Sequence, residues 1–155
     1  MRFKSFLLTL FVFSLKFVFL PLLFIYLNSL FNLPVFSNLA LKIIGLLLII
    51  SGIVMIFYCF GLFKSFGKGT PVPIEPPKEL VIQGIYRYTR NPMYIAYILI
   101  LYGIFFIFGE LFLLFYAITF SFIVHLIVVF YEEKVLQKRF GENYNDYCKK
   151  VPRWL

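Results

Sequence analysis

The sequence predicts an all-α integral membrane protein: a helical bundle of about four transmembrane helices with a cytoplasmic Pro-rich loop and a C-terminal helix. Three observations carry that prediction. Of the 155 residues, 62% are hydrophobic and only 14% charged, against roughly 25% charged in an ordinary soluble domain. The apolar residues fall into four long blocks, and Lys and Arg are missing from every second connection between them. The whole chain, 1–155, reads as a single membrane-embedded domain, because four spans of ~20 residues leave little for anything else.

The first block, residues 8–31, and the second, 39–63, are each long enough to cross ~30 Å of hydrocarbon at ~1.5 Å per residue. Arg2 and Lys4 precede the first block as in a signal peptide, yet no small-x-small cleavage site follows and the apolar run continues past Pro21, so it reads as a retained span. The third block, 92–108, and the fourth, 111–131, are separated only by Gly109 and Glu110, which forces an antiparallel helical hairpin. That leaves a loop at 64–91 and a tail at 132–155.

Cations set the expected orientation. Arg2 and Lys4 lie at the N-terminus; Lys64, Lys68, Lys78, Arg87 and Arg90 lie in the long loop; and Lys134, Lys138, Arg139, Lys149, Lys150 and Arg153 lie in the tail. Residues 32–38 carry none, and the 109–110 turn has only an acid. Both termini and the long loop are therefore expected on the cytoplasmic side of an inner or cytoplasmic membrane. All but two of the fifteen cations then share that side, the exceptions being Lys16 and Lys42, which can snorkel. A basic rim against anionic membrane lipids accounts for the net charge of +8 without a nucleic acid partner. Two cysteines, Cys59 and Cys148, and one histidine give no metal-ligand spacing.

Residues 67–84, GKGTPVPIEPPKELVIQG, are too rich in Gly and Pro for a continuous helix, and their stiffness suits a binding loop better than a tether. GIYRYTRNPMY follows, with Asn91 as the expected N-cap and Pro92 as the first helical residue of the third span. The positive end of that helix beside Arg90 is an expected anion site, although Arg87 and Arg90 also read as membrane-surface anchors. In the fourth block Ser121, His125 and Glu132 recur at spacings of four and seven, near one helical face. Glu132 and Glu133 fall at the level of Arg87 and Arg90, where a plain salt bridge is the simplest expectation. His125 reads either as a buried, hydrogen-bonded side chain or as a general base.

Taken together, LVIQGIYRYTRNPMY and EEKVLQKRFGENYNDYCKKVPRW resemble the isoprenylcysteine carboxyl methyltransferase and phospholipid methyltransferase superfamily. Its marks are a G-x-Y-R-x-x-R-[HN]-P-x-Y block, a transmembrane hairpin, then E-E-x-x-L-x-x-x-F-G-x-x-Y-x-x-Y-x-x-x-V-P-R. The resemblance implies an S-adenosyl-L-methionine dependent methyltransferase with a hydrophobic or lipid-like methyl acceptor. It further implies that Lys78, Glu79, Leu80 and Val81 wrap the cofactor, that Tyr86, Arg90, Asn91, Pro92, Met93 and Tyr94 line it, and that Glu132 holds one of its cationic groups. His125 and Glu133 are the candidate catalytic bases should the acceptor need to lose a proton.

Three positions depart from the family pattern. Asn91 stands for its usual histidine, Ala96 for a glycine, and Val128 for an arginine that the eukaryotic isoprenylcysteine enzymes carry one turn before Glu132. The acceptor is thus open among an isoprenylcysteine carboxylate, a phospholipid amine and a small thiol or amine. A catalytically inactive four-span scaffold or a transporter subunit that retained the fold is the rival reading, and cofactor binding separates the two. The topology has its own test: single cysteines at Asn32 and Lys78 should be labelled from opposite sides of the membrane, and labelling from one side would overturn it.

Overall fold

In the computed structural model residues 10–67 and 77–154 are described. The expected start of the first span at 8–9, the cations Arg2, Lys4 and Lys68, and the loop residues 68–76 lie outside the described residues. Among those described, the chain is helical, with a lone bridge between Val35 and Glu110 in place of any sheet.

Three helices are long and apolar enough to cross a membrane: α1, Leu10–Leu30; α2, Leu39–Gly67; and α4, Leu111–Phe140. Between the last two lies α3, Pro92–Phe108, whose 17 residues span ~26 Å, a few ångströms short of a full hydrocarbon layer. A short helix, α5, Glu142–Lys150, follows α4. Little of the apolar windows is covered by protein, 11% in α1, 22% in α2 and 28% in α4. Side chains such as Phe11, Phe57, Phe115 and Phe122 point outward. Apolar surface on that scale needs lipid rather than water around it.

Each long helix contains a π-helical stretch: Leu15–Phe19, Phe63–Gly67 and Val128–Glu132. The last alters one expectation. A widened turn between His125 and Glu132 breaks the 3.6-residue period, so Ser121, His125 and Glu132 do not share the strict face that their spacing suggests. The helix also continues beyond the apolar run at Tyr131, because Glu133–Phe140 is made of good helix formers.

The chain divides into two compact units. The first holds the described residues up to Ile53 together with Tyr97–Ser121. Its α3–α4 hairpin turns at Gly109, whose φ of +72° places the missing Cβ against the backbone of Phe36. Phe36 N–H donates to the Gly109 carbonyl at 2.8 Å. Asn28, fully buried, donates to the Leu33 carbonyl at 3.2 Å and accepts from Phe112 N–H at 3.3 Å, closing the end of α1 on the start of α4. Phe24 stacks on Tyr116 at 5.0 Å, and the Tyr116 hydroxyl donates to the Lys16 carbonyl at 3.0 Å inside the first π-helical stretch.

The second unit holds Val54–Ala96 and Phe122–Leu155, again as far as described. The Gly67 carbonyl accepts from Lys78 N–H at 2.8 Å, joining the two described ends of the Pro-rich loop. Residues 80–83 run without helix into a 3-10 turn, Gly84–Arg87, where Gly84 has φ +59° and a Cβ would meet Tyr58 Oη at 2.6 Å. Cys59, Leu62, Val81 and Tyr86 form a buried cluster with Phe63, Ile85 and Met93 around it. Tyr144, Tyr147 and Val151 form a second, packed on Leu80, Leu136 and Phe140.

Helices α2 and α3 cross without intervening side chains. A Cβ on Gly45 would lie 2.6 Å from the Gly103 carbonyl oxygen, and one on Gly103 would lie 2.7 Å from that of Gly45. Gly61 has nothing within 4 Å. Gly45→Ala and Gly103→Ala should each cost about 1–3 kcal/mol, whereas Gly61→Ala should be neutral or stabilise by up to about 1 kcal/mol. Unfolding of the three variants in one detergent checks the contrast.

Candidate functional site

The polar end of the second unit is built on the entrance to α3. The Asn91 carbonyl accepts the first helical bond from Ile95 N–H at 3.2 Å, so Asn91 takes the expected N-cap position, and Pro92 behind it is fully buried. The Asn91 side-chain amide turns elsewhere: it donates to the Arg153 carbonyl at 3.0 Å. Thr89, with no exposed surface, donates from its hydroxyl to that same carbonyl at 3.2 Å and accepts from Asn91 N–H at 3.3 Å. Arg90 N–H donates to the Pro152 carbonyl at 3.0 Å. The segment 151–154 is thereby strapped along residues 89–91.

Charge is organised around Glu133. Arg153 meets its carboxylate through two parallel bonds, Nε to Oε1 at 2.8 Å and Nη2 to Oε2 at 3.0 Å. Arg90 Nη1 approaches Oε1 at 3.1 Å and also donates to Cys148 Sγ at 2.6 Å. The expected boundary salt bridge is present, with Glu133 as its acid. Glu132 differs from its neighbour: Tyr94 hydrogen-bonds to it, yet its Oε2 is buried without a partner. Arg90 Nε is buried without one as well.

His125 Nδ1 accepts from Trp154 Nε1–H at 3.1 Å. Indole nitrogen only donates, so the neutral imidazole must carry its proton on Nε2. The hydroxyl of Ser121 donates to the Ala117 carbonyl within its own helix at 2.7 Å.

The remaining expected residues fall into two places. Lys78, Glu79 and Leu80 line an open groove of about 820 Å³ together with Arg87, Tyr147 and Lys150. Val81, Tyr86 and Met93 belong to the apolar cluster, where Phe63 packs edge-on to Tyr86 at 5.6 Å. Tyr147, whose phenol burial holds in its neutral form, donates to the Tyr86 carbonyl at 2.7 Å. Sequence reasoning gave Thr89, Cys148, Tyr147, Arg153 and Trp154 no part in the site. The Y-x-x-Y-x-x-x-V-P-R pattern contained Tyr147 and Arg153, while Thr89 and Cys148 carry no signal of their own.

Glu133 lies past the apolar run, and the hydrogen bonds from Arg153 hold its carboxyl below the usual carboxylate range despite partial burial, with the charge of Arg90 adding to the effect. A carboxyl with a depressed folded-state pKa stabilises fully above its ordinary value, 4.5. That stabilisation is lost as pH falls from there through the folded value. The unfolding temperature of the parent should therefore drop on acidification below that point, and Glu133→Gln, less stable at neutral pH, should drop less steeply over the same window.

The phospholipid methyltransferase family profile matches residues 40–143, more than half of the chain. No curated protein and no solved structure matches the chain. With α2, α3 and the greater part of α4 inside the matched region, and with the paired motifs at either end of the hairpin, the chain belongs to the phospholipid methyltransferase family, within the isoprenylcysteine carboxyl methyltransferase and phospholipid methyltransferase superfamily, and is an integral membrane protein of a methyltransferase kind.

Proposed function

We propose that the protein is an S-adenosyl-L-methionine dependent methyltransferase acting at the cytoplasmic face of its membrane on a lipid-like or small hydrophobic acceptor. The observation that carries this reading is Glu132: one carboxylate oxygen buried and unpartnered, beside Tyr94, while the adjacent Glu133 is fully engaged by guanidinium groups. A buried carboxylate is costly unless a cation or a donor meets it. The cofactor brings an ammonium and a sulfonium that suit Glu132. It also brings a carboxylate that suits the spare Arg90 Nε–H and the positive end of α3. When bound, S-adenosyl-L-methionine supplies a methyl group already activated on sulfur.

The work left to the chain is alignment and exclusion of water. Ala96, two residues from Tyr94, and Val128, four residues before Glu132, are both fully buried, which suits exclusion of water from that part of the unit. Residues 78–81 would supply backbone groups, and the charged groove beside them is a route for the polar parts of a ligand. Neither expected base is free for that role. Trp154 occupies Nδ1 of His125 and leaves only an N–H on the other nitrogen, while two guanidinium groups hold Glu133. The reading therefore favours an acceptor that presents its lone pair without help from these two residues. Val128, apolar and fully buried, offers nothing to grip a carboxylate, so a lipid or a small hydrophobic amine or thiol that reaches the site already deprotonated is favoured over a prenylcysteine.

Calorimetry of the detergent-solubilised protein tests the reading. The parent should bind S-adenosyl-L-methionine, and Glu132→Gln should bind it roughly tenfold more weakly at an unchanged unfolding temperature. No binding by the parent across several lipid compositions would instead favour a scaffold that kept the fold. Among acceptors, farnesylcysteine analogues should be methylated more slowly than components of a total lipid extract, and efficient methyl ester formation on the analogue would overturn that preference.

A further inference from the structure

The strap at 151–154 lies beyond the residues that the family profile matches, yet its contacts converge on both elements that flank Glu132. On one side its carbonyls receive Arg90 N–H, the Thr89 hydroxyl and the Asn91 amide, which fixes the entrance to α3. On the other its side chains reach α4, Arg153 by two parallel bonds to Glu133 and Trp154 by one to His125. Arg153 takes part in both sets, through its carbonyl and through its guanidinium.

Glu132 and Glu133 are consecutive residues at the junction where the π-helical stretch returns to α-helix. Left alone, two adjacent carboxylates would compete for Arg90. The fork of Arg153 matches both oxygens of Glu133, a geometry that a lysine ammonium or a single-point contact cannot reproduce. With Glu133 turned and neutralised in this way, its neighbour is left with a buried oxygen that has no partner, and Arg90 with a buried Nε–H in the same state.

We propose that Arg153 is the positioning residue of the cofactor site: by clamping Glu133 and the start of α3 from one strap, it sets Glu132 and Arg90 in the arrangement that receives S-adenosyl-L-methionine. This inference rests on the reading of Glu132 given above. Arg153 itself touches only protein groups, and its influence passes through Glu133 and Arg90.

The test uses the full chain in detergent and three variants, Arg153→Gln, Arg153→Lys and Glu132→Gln. S-adenosyl-L-methionine affinity is read by calorimetry, and thermal unfolding is measured on the same samples. The substitutions at Arg153 keep its backbone carbonyl, so the bonds from Thr89 and Asn91 survive and the strap is not removed. Arg153→Gln should weaken binding about tenfold, and Arg153→Lys, which restores charge but not the fork, should recover only part of that loss. Both should unfold within a few degrees of the parent. Unchanged affinity in Arg153→Gln alongside weakened binding in Glu132→Gln would overturn this inference and leave the site reading intact. Unchanged affinity in Glu132→Gln would overturn both. Loss of affinity that follows a fall in unfolding temperature, equal in the Lys and Gln variants, would also overturn it, since fold stability alone would then be at stake.

Discussion

A carboxylate held between two guanidinium groups, Glu133 between Arg90 and Arg153, is the interaction on which the polar end of this protein depends. Half-buried ion pairs add little net stability, because desolvation consumes most of the Coulombic gain, and removing one partner leaves the others less well paired at a cost that grows with their burial. The consequence is specificity of arrangement. The entrance to α3, the end of α4 and the C-terminal strap each contribute one member, so none of the three can shift without leaving a buried charge behind. The apolar parts of the chain impose no comparable restriction, since one lipid-facing leucine can replace another at small cost.

Much of the fold was legible in the sequence. The ends of α3 and the start of α4 fall where Asn91-Pro92 and Gly109-Glu110 punctuate the apolar pattern, since Pro fixes its own φ and Gly admits the positive φ of a tight turn whatever surrounds them. The far ends of α2 and α4 ran on past the apolar blocks, to Gly67 and Phe140. Hydropathy reports which residues tolerate hydrocarbon, and a helix continues wherever its backbone bonds can be made. The π-helical stretches had no signature at all, because a widened turn is a response to packing and leaves the composition unchanged.

The candidate site was legible to a different degree. Arg90, Asn91, Pro92 and Glu132 stood out because polar residues at a hydrocarbon boundary need a reason. Which of two adjacent glutamates would take the arginines was not decidable, since Glu132 and Glu133 look alike in sequence and differ only in direction along the helix. The strap was hidden for another reason: Thr89, Arg90 and Asn91 reach partners 58 to 64 residues away, a separation that no local pattern encodes. Nor did spacing foretell that His125 would spend its lone pair on Trp154.

That last contact has an optical side. The chain contains one tryptophan, and it sits on the strap with its indole N–H bonded to an imidazole. Indole emission shifts with the polarity and hydrogen bonding around the ring, and emission excited at the red edge of the absorption, where tyrosine does not absorb, comes from this one joint. Lifting of the strap would alter the colour and quenching of that signal with no dye attached, even in a chain whose eleven tyrosines would blur any absorbance measurement.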